Sequence, residues 1–131
     1  MKKRYLPFFI IFITFRSFAT DDPINKVAGI IRQGNMHELS TLMAESVDVV
    51  IQGNENTYLK AQAEVVLNNF FSQNRPLSVK VLHKINSNPH YQFGVLLMDS
   101  GKGAYRIAFT LKEISGKLQL IELRIETEKV R

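Results

Sequence analysis

Cysteine and tryptophan are both absent from the 131 residues. Without Cys there is no disulfide, no thiolate metal site and no thiol nucleophile, and no lipidated cysteine follows the N-terminal apolar run. The three histidines, His37, His83 and His90, are far apart and show neither HxH nor HxxxH spacing, so no metal site is expected. Glycine is sparse and never clusters into a phosphate-cradling loop. Gly101-Lys102-Gly103 joins two apolar stretches instead of opening a helix, and no GxSxG elbow occurs. No cofactor is expected. Long apolar runs are missing too, apart from Tyr5 to Phe15, which is too short to span a bilayer.

That run does have a purpose. Met1-Lys2-Lys3-Arg4 is a basic start, and Ser17-Phe18-Ala19 supplies small residues for cleavage. The pattern is that of a secretory signal peptide over residues 1–19, with Arg16 an unusual neighbour of the cleavage point. The expected product is one domain over 20–131, exported to the periplasm or secreted, with no membrane span once the signal is removed. Four of the 17 basic residues and none of the 12 acids lie in residues 1–19, so the formal net charge falls from +5 to +1 on cleavage. The basic balance therefore belongs to targeting and gives no reason to expect nucleic acid.

Asp22-Pro23 reads as an N-cap followed by the first helical position. Ile24, Val27, Ala28 and Ile31 form a helical stripe that Gly34 ends. Asn35 with Glu38 resembles a capping box for a second short helix carrying Met36, Leu39, Leu42 and Met43. Val47, Val49 and Ile51 alternate as a strand, and a short strand is expected near Thr57 and Tyr58. The longest helix spans about 60–73, with Leu59, Ala63, Val66, Leu67 and Phe70 on one face and Phe71 beside it; Pro76 stops it.

From Leu77 to Thr127 the apolar period changes to two, the mark of strands with one buried face. Four strands are expected in one curved antiparallel sheet. Their inward sets are Leu77, Val79, Val81, His83 and Ile85; then Phe93, Val95 and Leu97; then Tyr105, Ile107, Phe109 and Leu111; then Leu118 and Leu120, shifting phase to Ile121, Leu123 and Ile125. The phase shift implies a β-bulge where Leu120 and Ile121 oppose Leu111. A three-residue loop at 101–103 pairs Val95 with Phe109 and Leu97 with Ile107, whereas a two-residue loop would set Val95 against Ala108. This register turns Leu82, Leu96, Met98 and Ala108 outward as an apolar patch.

Helix, helix, strand, long helix and curved four-strand meander form an α+β order that resembles the cone-shaped fold of nuclear transport factor two and its cystatin-like relatives. The stretches Asp48-Val49-Val50-Ile51, Tyr58-Leu59-Lys60 and Ala63-Glu64-Val65-Val66-Leu67-Asn68-Asn69-Phe70-Phe71 also resemble a family of small exported bacterial proteins known only as a domain of unknown function, of the 4783 type. The resemblance implies a fold and export, and supplies no activity.

Three functions follow as expectations. The first is a non-catalytic domain that binds a small apolar ligand or a peptide in the cone, lined by His83, Phe93, Phe109, Leu111, Phe70 and Val66. The second is a homodimeric interaction module working through the outer sheet face, centred on Leu82, Leu96, Met98 and Ala108. The third, ranked below both, is an enzyme using an inward His83 or an Asp99–Tyr105 pair, as ketosteroid isomerases of this fold use Asp and Tyr. Ordinary strand-end roles account for these residues more simply, and no catalytic residue is assigned.

Overall fold

The computed structural model describes residues 22–128. The expected signal peptide, 1–19, lies outside the described residues. The elements are α1 (Pro23–Gln33), α2 (Met36–Ser40), β1 (Met43–Ile51), β2 (Asn54–Leu59), α3 (Lys60–Gln73), β3 (Ser78–Ile85), β4 (Tyr91–Asp99), β5 (Ala104–Ile114) and β6 (Lys117–Thr127). Helices pack on one face of a curved, six-stranded sheet ordered β2-β1-β6-β5-β4-β3. Every ladder is antiparallel except β1–β6, which is parallel.

The helices start and stop where local chemistry says. The Asp22 carboxylate accepts from the backbone N–H groups of Ile24 and Asn25, and Gly34 at φ 70° closes α1 by donating to Ile30 and Ile31 carbonyls. Asn35 accepts from Glu38 N–H at the start of α2. In α3 the deeply buried residues are Ala63, Leu67 and Phe71, one turn apart; Val66 and Phe70 are half-buried at the side.

The β5–β6 ladder has the expected register. Ile107 faces Ile125, Phe109 faces Leu123, and the ladder shifts between Thr110 and Leu111, leaving Ile121 as the extra residue. The β1–β2 hairpin turns through Gln52 and Gly53, both at positive φ, as a tight hairpin twisting with its strands requires.

The β4 register differs from the expectation by one residue. The loop has two residues, not three: Ser100 N–H donates to the Gly103 carbonyl, and Gly101 takes φ 84° at the first turn position. Val95 therefore opposes Ala108, and Gly94, Leu96 and Met98 oppose Phe109, Ile107 and Tyr105. The inner face of β4 is Gln92, Gly94, Leu96 and Met98, and its outer face is Phe93, Val95 and Leu97. Leu96 and Met98, expected outside as an interface, are fully buried in the core. Phe93, expected to line the cone, stands on the outer face opposite Ile85 and Thr110. A bulge between Val81 and His83 turns β3 over, so His83 is exposed on the outer face beside Val95 instead of inside. Leu82, at that bulge, is half-buried, and Ala108 keeps its outward place.

Phe109 lies at the centre of the inner face and is fully buried, with Ile107, Leu123, Ile125, Ile24, Ile31 and Leu67 in the same cluster. Each such side chain stabilises the fold by about 1.5–3 kcal/mol relative to exposure. The middle of the cone is therefore packed with side chains.

Candidate functional site

What remains open is the side of the cone between α3 and the β1–β2 hairpin. The β1–β2 register puts Val47, Val49 and Ile51 opposite Tyr58, Asn56 and Asn54. Those six positions share the inner face, because alternate strand residues point the same way. Near the hairpin turn α3 presents Val66. The result is a cleft of about 430 Å³ walled by Val49, Ile51, Gln52, Asn54, Asn56, Tyr58 and Val66. Its floor is aliphatic, its rim holds three amides and a phenol, and none of the seven is charged. Asn54, Asn56 and Gln52 are exposed, and Tyr58 and Val66 are half-buried.

The expected site residues scatter. Val66 alone of the six proposed cone residues lines this cleft. Phe109 and Leu111 are inward but are used by the core. Phe70 packs edge-on against both Tyr105, at 5.2 Å, and Phe71. The Asp99–Tyr105 pair does not exist, because the register change sets Asp99 against Ala104 on the outer side. Asp99 accepts from Gly101 N–H in its own turn, while the Tyr105 hydroxyl donates to the Asn74 side-chain carbonyl at 3.0 Å on the inner side. Among the described residues no three His, Asp or Glu side chains gather as metal ligands.

Two other polar groupings are surface features. Glu64 holds His37 Nδ1 at 3.2 Å and accepts from the Ser40 hydroxyl at 3.1 Å. The Ser40 hydroxyl also donates to the His37 carbonyl, at 2.7 Å, and makes no bond to the imidazole, which removes the geometry of a Ser–His nucleophile. His90 pairs with Glu113 at the β4–β5 end of the sheet.

The amides of the cleft were missed in the sequence because Asn54 and Gln52 look like turn residues there. A readable signal exists: Asn54, Asn56 and Tyr58 recur at period two after the turn, so a two-residue hairpin puts them on the face of Val49 and Ile51.

Comparison with known proteins places this architecture. A family described as a domain of unknown function, DUF4783, matches residues 24–126. A family protein from Bacteroides fragilis YCH46 is 26% identical, with a TM-score of 0.74 over 82% of this chain and 100% of that one. A protein named Rd1NTF2_05, in a form with five substitutions, is similar in fold, with 14% identity and a TM-score of 0.61 over 79% of this chain and 92% of that one. A domain of unknown function with a cystatin-like fold from Nostoc punctiforme PCC 73102 shows 9% identity and a TM-score of 0.64 over 81% of this chain and 73% of that one. No curated protein matches.

Proposed function

The chain belongs to the DUF4783 family, and from that premise we propose that it is an exported, non-catalytic binding module that holds an uncharged ligand in the cleft between α3 and the β1–β2 hairpin. The observation that carries this reading is the lining: an aliphatic floor of Val49, Ile51 and Val66 under a rim of amides and one phenol. Amides donate and accept at once, and no ionic group fixes the sign of a ligand's charge. A short peptide segment, or another neutral molecule with amide or hydroxyl groups along one apolar side, suits such walls. The packed cone centre moves the small apolar ligand or peptide expected in the cone to this polar-rimmed side. Export rests on the basic start, short apolar run and small residues of 1–19. Mass spectrometry of the protein from its native host should find a chain beginning near Thr20, and an intact Met1 in the cytosol would exclude export.

The cleft is tested by titrating capped neutral tripeptides and, separately, neutral disaccharides while following the side-chain amide NMR signals of Gln52, Asn54 and Asn56. Saturable shifts that Val66→Arg abolishes are expected, since the longer cationic side chain occupies the floor. Signals that ignore every neutral probe, or respond equally in Val66→Arg, overturn the assignment.

A second reading, self-association through the outer sheet face, is favoured by one observation. Phe93, Val95 and Leu97 run along the outer face of β4 with Ala108 beside them and Ile85 and Tyr91 exposed at one end. Charges of both signs surround this strip: Lys80 on β3, Asp99 at the end of β4, Arg106 and Lys112 on β5, and Glu122, Arg124 and Glu126 on β6.

A further inference from the structure

A separate cavity of about 230 Å³ lies where α1 and α3 both end, walled by Arg32, Arg75, Asn68 and Ser72 with Phe71 and Pro76 as its apolar side. The geometry points to an oxyanion site: we propose that this pocket binds a carboxylate or phosphate group between the two guanidinium forks.

Neither arginine has a carboxylate within ion-pair distance among the described residues, and no acid lines the pocket. Arg32 is also held in place. Its Nη2 donates to the Val79 carbonyl at 2.8 Å, which fastens the α1 terminus to β3 and leaves the other donors of the fork without a partner among the described residues. A tethered guanidinium loses less freedom when it pairs with an oxyanion than a free one does.

The obvious objection is the helix termini, whose free carbonyls would repel an anion. Here two of the last four carbonyls of each helix are answered. Gly34 N–H covers Ile30 and Ile31, the Asn74 backbone and side chain both donate to Phe70, and Lys102 Nζ donates to Gln73 at 3.0 Å. The Ser72 hydroxyl is spent on the Asn69 carbonyl, so the Asn68 and Gln33 amides are the neutral side-chain donors left to the pocket. Arg32 and Arg75 are consequently more than complements to helix ends: one is tied to a strand and the other lies beyond the α3 cap.

The site does not depend on the neutral cleft and stands or falls separately.

The test is an NMR titration of the purified protein with inorganic phosphate and, in a second arm, acetate, at constant ionic strength maintained with chloride. Arg32 and Arg75 Nε–H and Asn68 side-chain signals should shift saturably, with dissociation constants of about 1–10 mM for an exposed pair of charge-assisted contacts. Arg75→Gln, which removes an exposed side chain with no hydrogen bond or ion pair among the described residues, should weaken binding about tenfold. Lys112→Gln, an equal charge loss on the outer sheet face, should leave it unchanged. Saturation by phosphate alone identifies a tetrahedral oxyanion; saturation by both identifies a site that also admits carboxylates. Shifts no larger than those of chloride, or equal weakening by Lys112→Gln, overturn the proposal.

Discussion

Gly94 faces Phe109 across the β4–β5 ladder, and the aromatic ring closes over the bare glycine backbone. A Cβ at position 94 would come within 2.7 Å of Phe109 Cζ and 2.8 Å of Ile24 Cγ2. The hole in one strand is filled by the largest fully buried side chain, from the next strand, with Ile24 of α1 sealing it from above. Gly94→Ala should therefore destabilise the domain by about 1–3 kcal/mol through overpacking, even though alanine suits a strand no worse than glycine does. Phe109→Leu in the Gly94→Ala background should recover part of the loss, which urea denaturation of the four proteins measures. A neutral Gly94→Ala would contradict the packing.

The same contact explains where the sequence misleads. On β4 both alternating sets are apolar at three positions or nearly so, and the true inner set contains Gly94 and Gln92 while the outer one reads Phe93, Val95, Leu97. Counting apolar residues favours the wrong set, because the volume of position 94 is supplied by Phe109 from another strand. The slip then moves Leu96 and Met98 outward on paper, and the bulge at β3 leaves His83 falsely inside. By contrast β6 carries its own signal: Leu120 and Ile121 adjacent to each other announce the extra residue. The caps Asp22, Gly34 and Asn35 are legible for the same reason, since each acts on its own few residues. The parallel β1–β6 pairing joins distant segments, and nothing local in Val47 to Ile51 names its partner. The family likeness read from 48–71 holds, whereas the neutral rim is visible only once the β1–β2 turn is placed.

The two faces of β4 give a sharp contrast. Leu96→Lys buries an unpaired ammonium in the core and should cost about 4 kcal/mol or more. Leu97→Lys, one residue on, enters the half-exposed outer face and should cost less than about 1 kcal/mol. Thermal and chemical unfolding of both variants checks the register directly. The reverse order of stabilities would restore the three-residue loop.

Asp22 joins two elements. It caps α1 and accepts from Lys84 Nζ on β3 at 2.6 Å. Burial alone would raise its pKa, but the Lys84 bond, the Asn25 and Ile24 N–H groups and the ammonium charge outweigh it and hold the carboxyl below its usual range. A folded pKa below the unfolded one means that the unfolded chain binds the proton more readily, so stability rises with pH through this interval. The contribution is complete above the unfolded value, about 4, and is lost as pH falls through the folded one. Asp22→Ala should cost about 1 kcal/mol at pH 7, with the difference from the native protein narrowing as pH drops below about 4. Asp22→Asn keeps a capping acceptor and should lose the smaller, pH-dependent part only. A difference between native and Asp22→Ala that stays constant down to pH 2 would dismiss the ion-pair account.

The outer face yields the last prediction. Its apolar strip, Phe93, Val95 and Leu97 with Ala108, is ringed by charges of both signs: Lys80 on β3, Asp99 at the end of β4, Arg106 and Lys112 on β5, and Glu122, Arg124 and Glu126 on β6. A two-fold axis through β4, in the plane of the interface, lets the two strips meet at the centre. Some charges are already engaged within one copy: Glu128 takes Arg106 in a paired bond at 2.8 and 3.2 Å, and Arg124 lies between Glu122 and Glu126 at 3.8 and 3.9 Å. Such local pairs lower the gain from cross-pairing, so a weak dimer is expected, dissociating at tens of micromolar and more readily in high salt. Sedimentation equilibrium of the native protein and of Leu97→Lys decides. A concentration-dependent dimer that Leu97→Lys converts to monomer, with unfolding stability kept within about 1 kcal/mol, fits the outer strip. A native protein that stays monomeric at several hundred micromolar excludes the dimer, and a dimer indifferent to Leu97→Lys lies on another surface.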